Sequence, residues 1–170
     1  TITITVLIHP YNKLNYLPFL FGGIESQIYD HARVRLHIIT EQLYLPKSDS
    51  AKRYNDQESE ELWMDQRIVD NEQTIAILKF WVNNNRKFYN DIQLSIRDQE
   101  LLSDKDSYWD EERFERIMTA KNQAIKDGYH SWSDYLLFLD ADVILVNPYT
   151  LSNLTNSFTE TPEAVVVGPM

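Results

Sequence analysis

Asp140 and Asp142 stand one residue apart at the end of an apolar run, Tyr135 to Leu139. A run this short, without polar alternation, reads as a strand buried on both faces, as in parallel sheets. Ligands of open α/β sheets bind outside the carboxyl ends of such strands. Two carboxylates there repel each other and lose hydration unless a cation sits between them. Their hard oxygens suit magnesium, manganese or calcium rather than zinc. The same residue type also serves as a helix cap or turn former, and Asn147-Pro148 downstream favours a turn. Spacing alone leaves both readings open. Asp104-Lys105-Asp106 shares the spacing but lies in a polar stretch, 102–112, and reads as a solvated loop.

Several elements must position these carboxylates. Ile2 to Ile8 is rich in β-branched residues and predicts a first strand. Leu17 to Tyr29 predicts a helix with Pro18 in its first turn, weakened by Gly22-Gly23. Val34 to Ile39 predicts a second strand ending at Thr40-Glu41, and Asp91 to Arg97 a third. Ile75, Leu78 and Val82 carry a helical period between them. Phe114, Ile117, Met118, Lys121 and Ile125 form a stripe on a second clear helix, which Gly128 ends. Lys121 is the odd member: either its stem packs while its ammonium reaches water, or the ammonium meets an anion beside the sheet. A short segment, 148–158, and a last strand, 164–167, complete the pattern. Strands and helices alternate, which predicts an α/β fold with a mostly parallel sheet and helices on both faces. The long polar connection at 44–69 is the outlier; a connection of that length is uncommon and usually functional or mobile.

Composition narrows the function classes. The chain has 170 residues, room for one domain with a sizeable core. Its net charge of −10 disfavours a nucleic-acid surface, which needs a basic stripe. No apolar run approaches the ~20 residues of a membrane span. There is no cysteine, so no thiol nucleophile or disulfide. The four histidines, His9, His31, His37 and His130, read as ordinary structural residues. The chain opens and closes on strand-like runs, as a piece of a longer protein would.

Several of these residues carry a resemblance. They are Thr3 to Ile8 with Asn12 and Leu17-Pro18, Asp70-Asn71 with Thr74, Arg113-Phe114 with Met118, and Trp132-Ser133-Asp134-Tyr135 running into Asp140-Ala141-Asp142, then Asn147-Pro148 and Thr150-Leu151. Together they resemble the procollagen galactosyltransferase family. The resemblance implies a Rossmann-like GT-A glycosyltransferase fold, incomplete here at the C-terminal side. Residues 1–170 would form the nucleotide-sugar-binding part of one such domain, with an inserted loop at about 42–69. It implies manganese-dependent, inverting transfer of galactose from UDP-galactose to collagen hydroxylysine in the endoplasmic reticulum lumen. Asp142 would hold the metal, and Asp140 the metal or the ribose. Tyr11, Asn12, Thr40 and Glu41 would cradle the nucleotide, with Asp70 and Asn71 near by and Lys121 as a further contact. No catalytic base is identified. Tyr11 stands where the family pattern has an arginine. That departure and the insertion support an alternative, a catalytically silent module that keeps the fold for binding or scaffolding.

Overall fold

The structure, a computed structural model, describes residues 1–9, 13–44, 58–100, 111–129, 133–161 and 163. Its centre is a four-stranded sheet of β1 (Ile2–Ile8), β2 (Val34–Tyr44), β3 (Asp91–Glu100) and β4 (Tyr135–Asp140), in the order β3-β2-β1-β4. Every pairing is parallel. The order runs outward from β1 to β3 and then returns to the other side of β1. The topological switch point therefore lies between β1 and β4, where Leu7 is in register with Asp140. The predicted α/β class and parallel sheet hold.

The two faces of the sheet differ in chemistry. On one face Ile2, Ile4, Val6 and Ile8 of β1 join Val34, Leu36 and Ile38 of β2, all buried. Helix α1 (Leu17–Glu25) lays Leu17, Leu20, Phe21 and Ile24 into this core at helical spacing. Helix α2 (Glu58–Asn85) adds Leu78 and Val82, and α4 (Thr150–Glu160) adds Leu151. The opposite face is polar at its centre, with Thr3, Thr5 and His37 buried. There α3 (Glu111–Tyr129) approaches β4: a Cβ on Gly128 would stand 3.1 Å from a methyl carbon of Leu136.

One expectation changes, and others gain detail or lie outside the described residues. Within the proposed insertion, 42–44 continue β2 and 58–69 belong to α2; the rest, 45–57, lies outside the described residues. The predicted stripe of α3 is rotated. Phe114, Met118 and Ile125 are exposed, whereas Ala124 is fully buried. Small residues face the sheet because they let the helix approach it closely. Gly128 lies at the end of α3, as expected, one residue before its last residue, Tyr129. The segment at 148–158 is a turn followed by α4 from Thr150, and the closing strand at 164–167 lies outside the described residues.

Candidate functional site at the carboxyl ends of the strands

Strand β4 ends in a tight turn. Ala141 N–H donates to the Leu7 carbonyl at 3.1 Å, the last bond of the ladder, and Val143 N–H donates to the Asp140 carbonyl at 2.9 Å. The Ala141 methyl is buried, while Asp140 and Asp142 on either side of it are exposed. The Asp-Ala-Asp sequence thus anchors itself through its middle residue and presents both carboxylates at the switch point. It is the carbonyl of Asp140, not its carboxylate, that closes the turn, so the carboxylate remains available for a ligand.

The loop after the turn is held from below. Gly23 of α1 lies against Leu145, where a Cβ would meet the Leu145 nitrogen at 3.0 Å. Gln27, buried just past the end of α1, donates from Nε2 to the Gly23 and Asn147 carbonyls at 3.1 and 3.0 Å. Its Oε1 accepts from Leu151 N–H at 3.1 Å, at the start of α4. Asn147 Oδ1 accepts from Tyr149 N–H at 2.9 Å, as an Asx turn does. The Asn-Pro turn predicted from sequence is present, and Gln27 ties it to α1.

Each carboxylate faces a lysine from a different element. Lys13 Nζ, at the start of the segment leading into α1, lies 2.6 Å from Asp142 Oδ2. Lys121 Nζ, on α3, lies 3.9 Å from Asp140 Oδ1. The hydrogen bond from Lys13 holds the Asp142 carboxyl below its ordinary range, with burial opposing the shift. Lys121 is therefore not a snorkelling residue alone: its ammonium reaches the strand-end acid. Lys13 had no signature in the sequence, because its partner lies 129 residues away.

Beside these acids a cleft opens between the ends of β1, β2 and β3 and helix α3. Thr40, Glu41, Arg97 and Arg116 line it, with His9 at the end of β1. Thr40 Oγ1 donates to the Ile8 carbonyl at 3.1 Å, so its hydroxyl serves the sheet. Asn71 is fully buried. Its Nδ2 donates to the Glu41 carbonyl at 2.8 Å, and its Oδ1 accepts from Leu43 N–H at 2.9 Å. It lies near Thr40-Glu41, as expected, and acts there as a clamp on the strand backbone. Asp70 Oδ1 accepts from Gln66 Nε2 at 2.8 Å along α2. Tyr11 and Asn12 lie outside the described residues. Arg97, Arg116 and Gln27 were missed in the sequence; single polar residues in amphipathic elements carry no spacing signal.

The acids fit a small divalent ion. Such ions are commonly held by one or two carboxylates, with substrate phosphates and water completing the shell. Asp140 and Asp142 supply hard, ionisable oxygens of that kind. Among the described residues no group of three or more His, Cys, Asp or Glu converges. No described helix is long and apolar enough to cross a membrane.

Residues 49–170 match the family model described as glycosyltransferase family 25, N-terminal domain. Among curated proteins, a glycosyltransferase 25 family member of Aedes aegypti is 28% identical over 148 residues, covering 85% of this chain and 20% of the relative. Procollagen galactosyltransferase 2 of Homo sapiens is 26% identical over 155 residues, covering 89% of this chain and 20% of the relative. The chain thus spans about a fifth of the length of these relatives. Among solved structures, S. aureus TarS 1-349 is 14% identical with a TM-score of 0.47, covering 98% of this chain and 38% of TarS 1-349. At that score the likeness adds nothing to the fold argued from strand order.

Proposed function

Given that the chain belongs to glycosyltransferase family 25, we propose that it forms the nucleotide-sugar-binding part of a GT-A galactosyltransferase. The reaction is inverting transfer of galactose from UDP-galactose to collagen hydroxylysine, in the endoplasmic reticulum lumen. The observation that carries the donor half is the placement of Asp140 and Asp142 at the β1/β4 switch point, each facing a lysine. The collagen acceptor is supported by the names of the procollagen galactosyltransferase relatives, and hydroxylysine and the compartment by the family resemblance alone.

The leaving group in this reaction is a nucleoside diphosphate, whose negative charge grows as the glycosidic bond breaks. Manganese bound by Asp140 and Asp142 would act as a Lewis acid on that diphosphate. The chain's own part is to hold these acids in place through the Ala141 anchor and the Gln27 tie. Lys121 and Lys13 add positive charge where the diphosphate charge develops, and charge placed in advance needs no reorganisation during the step. Thr40 and Glu41 form the wall of the nucleotide cleft, and Asn71 fixes that wall.

A second reading, a module that keeps the fold without transfer, draws on the Lys13 ammonium seated on the acid expected to bind metal. The test is a transfer assay on the whole protein, with UDP-galactose, manganese and a hydroxylysine-containing collagen peptide. Galactosylated peptide, abolished by Asp142→Ala, supports transfer. UDP binding without any transfer supports the second reading.

A further inference from the structure

We propose that Lys13 is the resident cation of this site: its ammonium holds Asp142, and a divalent cation that binds Asp142 competes with it and displaces it. The diphosphate that then receives the displaced ammonium rests on the function proposed above; the competition itself does not.

The geometry is specific. Lys13 Nζ lies 2.6 Å from Asp142 Oδ2, a short charge-assisted contact, whereas Lys121 Nζ stands off Asp140 at 3.9 Å. Competition therefore centres on Asp142. The root of Lys13 is fixed: its carbonyl accepts from Tyr16 N–H at 2.9 Å in the 3₁₀ turn Leu14–Tyr16 that leads into α1. Its stem is mostly covered, at 23% side-chain exposure, and its ammonium also lies 5.4 Å from the Tyr16 ring centroid. Asp142 is itself 49% exposed, open to an ion from solvent.

Lys13 Nζ contacts Oδ2 alone, but an ammonium and a divalent ion on one carboxylate repel each other and share its charge, so each weakens the hold of the other. Lysine suits such an exchange. Its charge is compact, and its four-carbon stem lets the tip move while the backbone stays. A displaced Lys13 remains beside the strand ends, within the region an anionic diphosphate would enter. The site then keeps a balancing cation both before and after the ion arrives. Lys13 would set how much divalent ion the site needs and let a nucleoside diphosphate meet positive charge in its absence.

The probe is Mn²⁺ alone, its free concentration followed by electron paramagnetic resonance on the full chain without nucleotide. Lys13→Met and Lys13→Gln are expected to bind Mn²⁺ about tenfold more tightly than the wild type. Lys13→Arg should stay near the wild type, and adding Asp142→Asn to Lys13→Met should erase the gain. Equal or weaker Mn²⁺ binding in both neutral variants, including no binding in any protein, overturns the proposal. A parallel UDP titration of the wild type reports separately on the nucleotide reading. Its failure would refute that reading while leaving the Mn²⁺ comparison decisive for Lys13.

Discussion

A Cβ placed on Gly23 would stand 3.0 Å from the backbone nitrogen of Leu145 and 3.1 Å from its carbonyl oxygen. The helix after β1 and the loop after Asp142 touch backbone to backbone at this point. Neighbouring Gly22 has nothing within 4 Å of the same position. The two glycines therefore predict opposite outcomes. Gly23→Ala should destabilise the fold by about 1–3 kcal/mol, as overpacking does. Gly22→Ala, exposed on the same helix, should stabilise it by about 0.5–1 kcal/mol. Urea midpoints of the two variants check this, and equal shifts would contradict the close approach.

Asn71 makes a second prediction. Its amide serves Glu41 O and Leu43 N from a fully buried position. Asn71→Leu keeps the branching of the side chain, replaces its amide by methyl groups and strands both backbone groups. Leaving a buried polar group unsatisfied costs about 1–3 kcal/mol, so the variant should lose at least that much stability. Because the clamp holds the wall of the cleft, nucleotide binding should weaken as well. A variant as stable as the wild type would show that β2 needs no clamp.

His37 gives the pH dependence. It is buried on the polar face of the sheet, with Nε2 3.0 Å from Ser95 Oγ. Burial lowers its pKa from 6.5; Asp127 of α3 and Asp91 of β3 oppose the shift, and Arg35 and Arg97 add to it. The unfolded chain then binds this proton more readily than the folded one. The stability contributed by neutral His37 is fully present above about pH 6.5 and is lost as the pH falls toward its folded value. Between about pH 7.5 and about pH 5.5, His37→Gln should lose less stability than the wild type. Parallel losses in the two proteins would contradict the assignment.

The strands were legible because each is a short apolar or β-branched run, and the parallel order of the sheet followed from strands alternating with helices. Asp140 and Asp142 were legible because the run before them has no other polar residue. The face of α3 was not, because Ala124 and Gly128 pack against the sheet while Phe114, Met118 and Ile125 stay exposed. A pattern read by side-chain size inverts when close approach, not bulk, decides the contact. The start of α2 was hidden by its polar composition. Lys13 and Gln27 were invisible for a different reason: their partners, Asp142 and Asn147, are more than a hundred residues away.

The strand-end acids are proposed to form a nucleoside diphosphate site. Calorimetric titration of UDP into the full chain, with and without Mn²⁺, tests it most directly. UDP should bind, and Mn²⁺ should strengthen the binding. Asp142→Ala should lose the Mn²⁺ effect, and Lys121→Met should weaken binding by about tenfold without loss of fold. A folded wild-type protein that binds no UDP, with or without Mn²⁺, would contradict it.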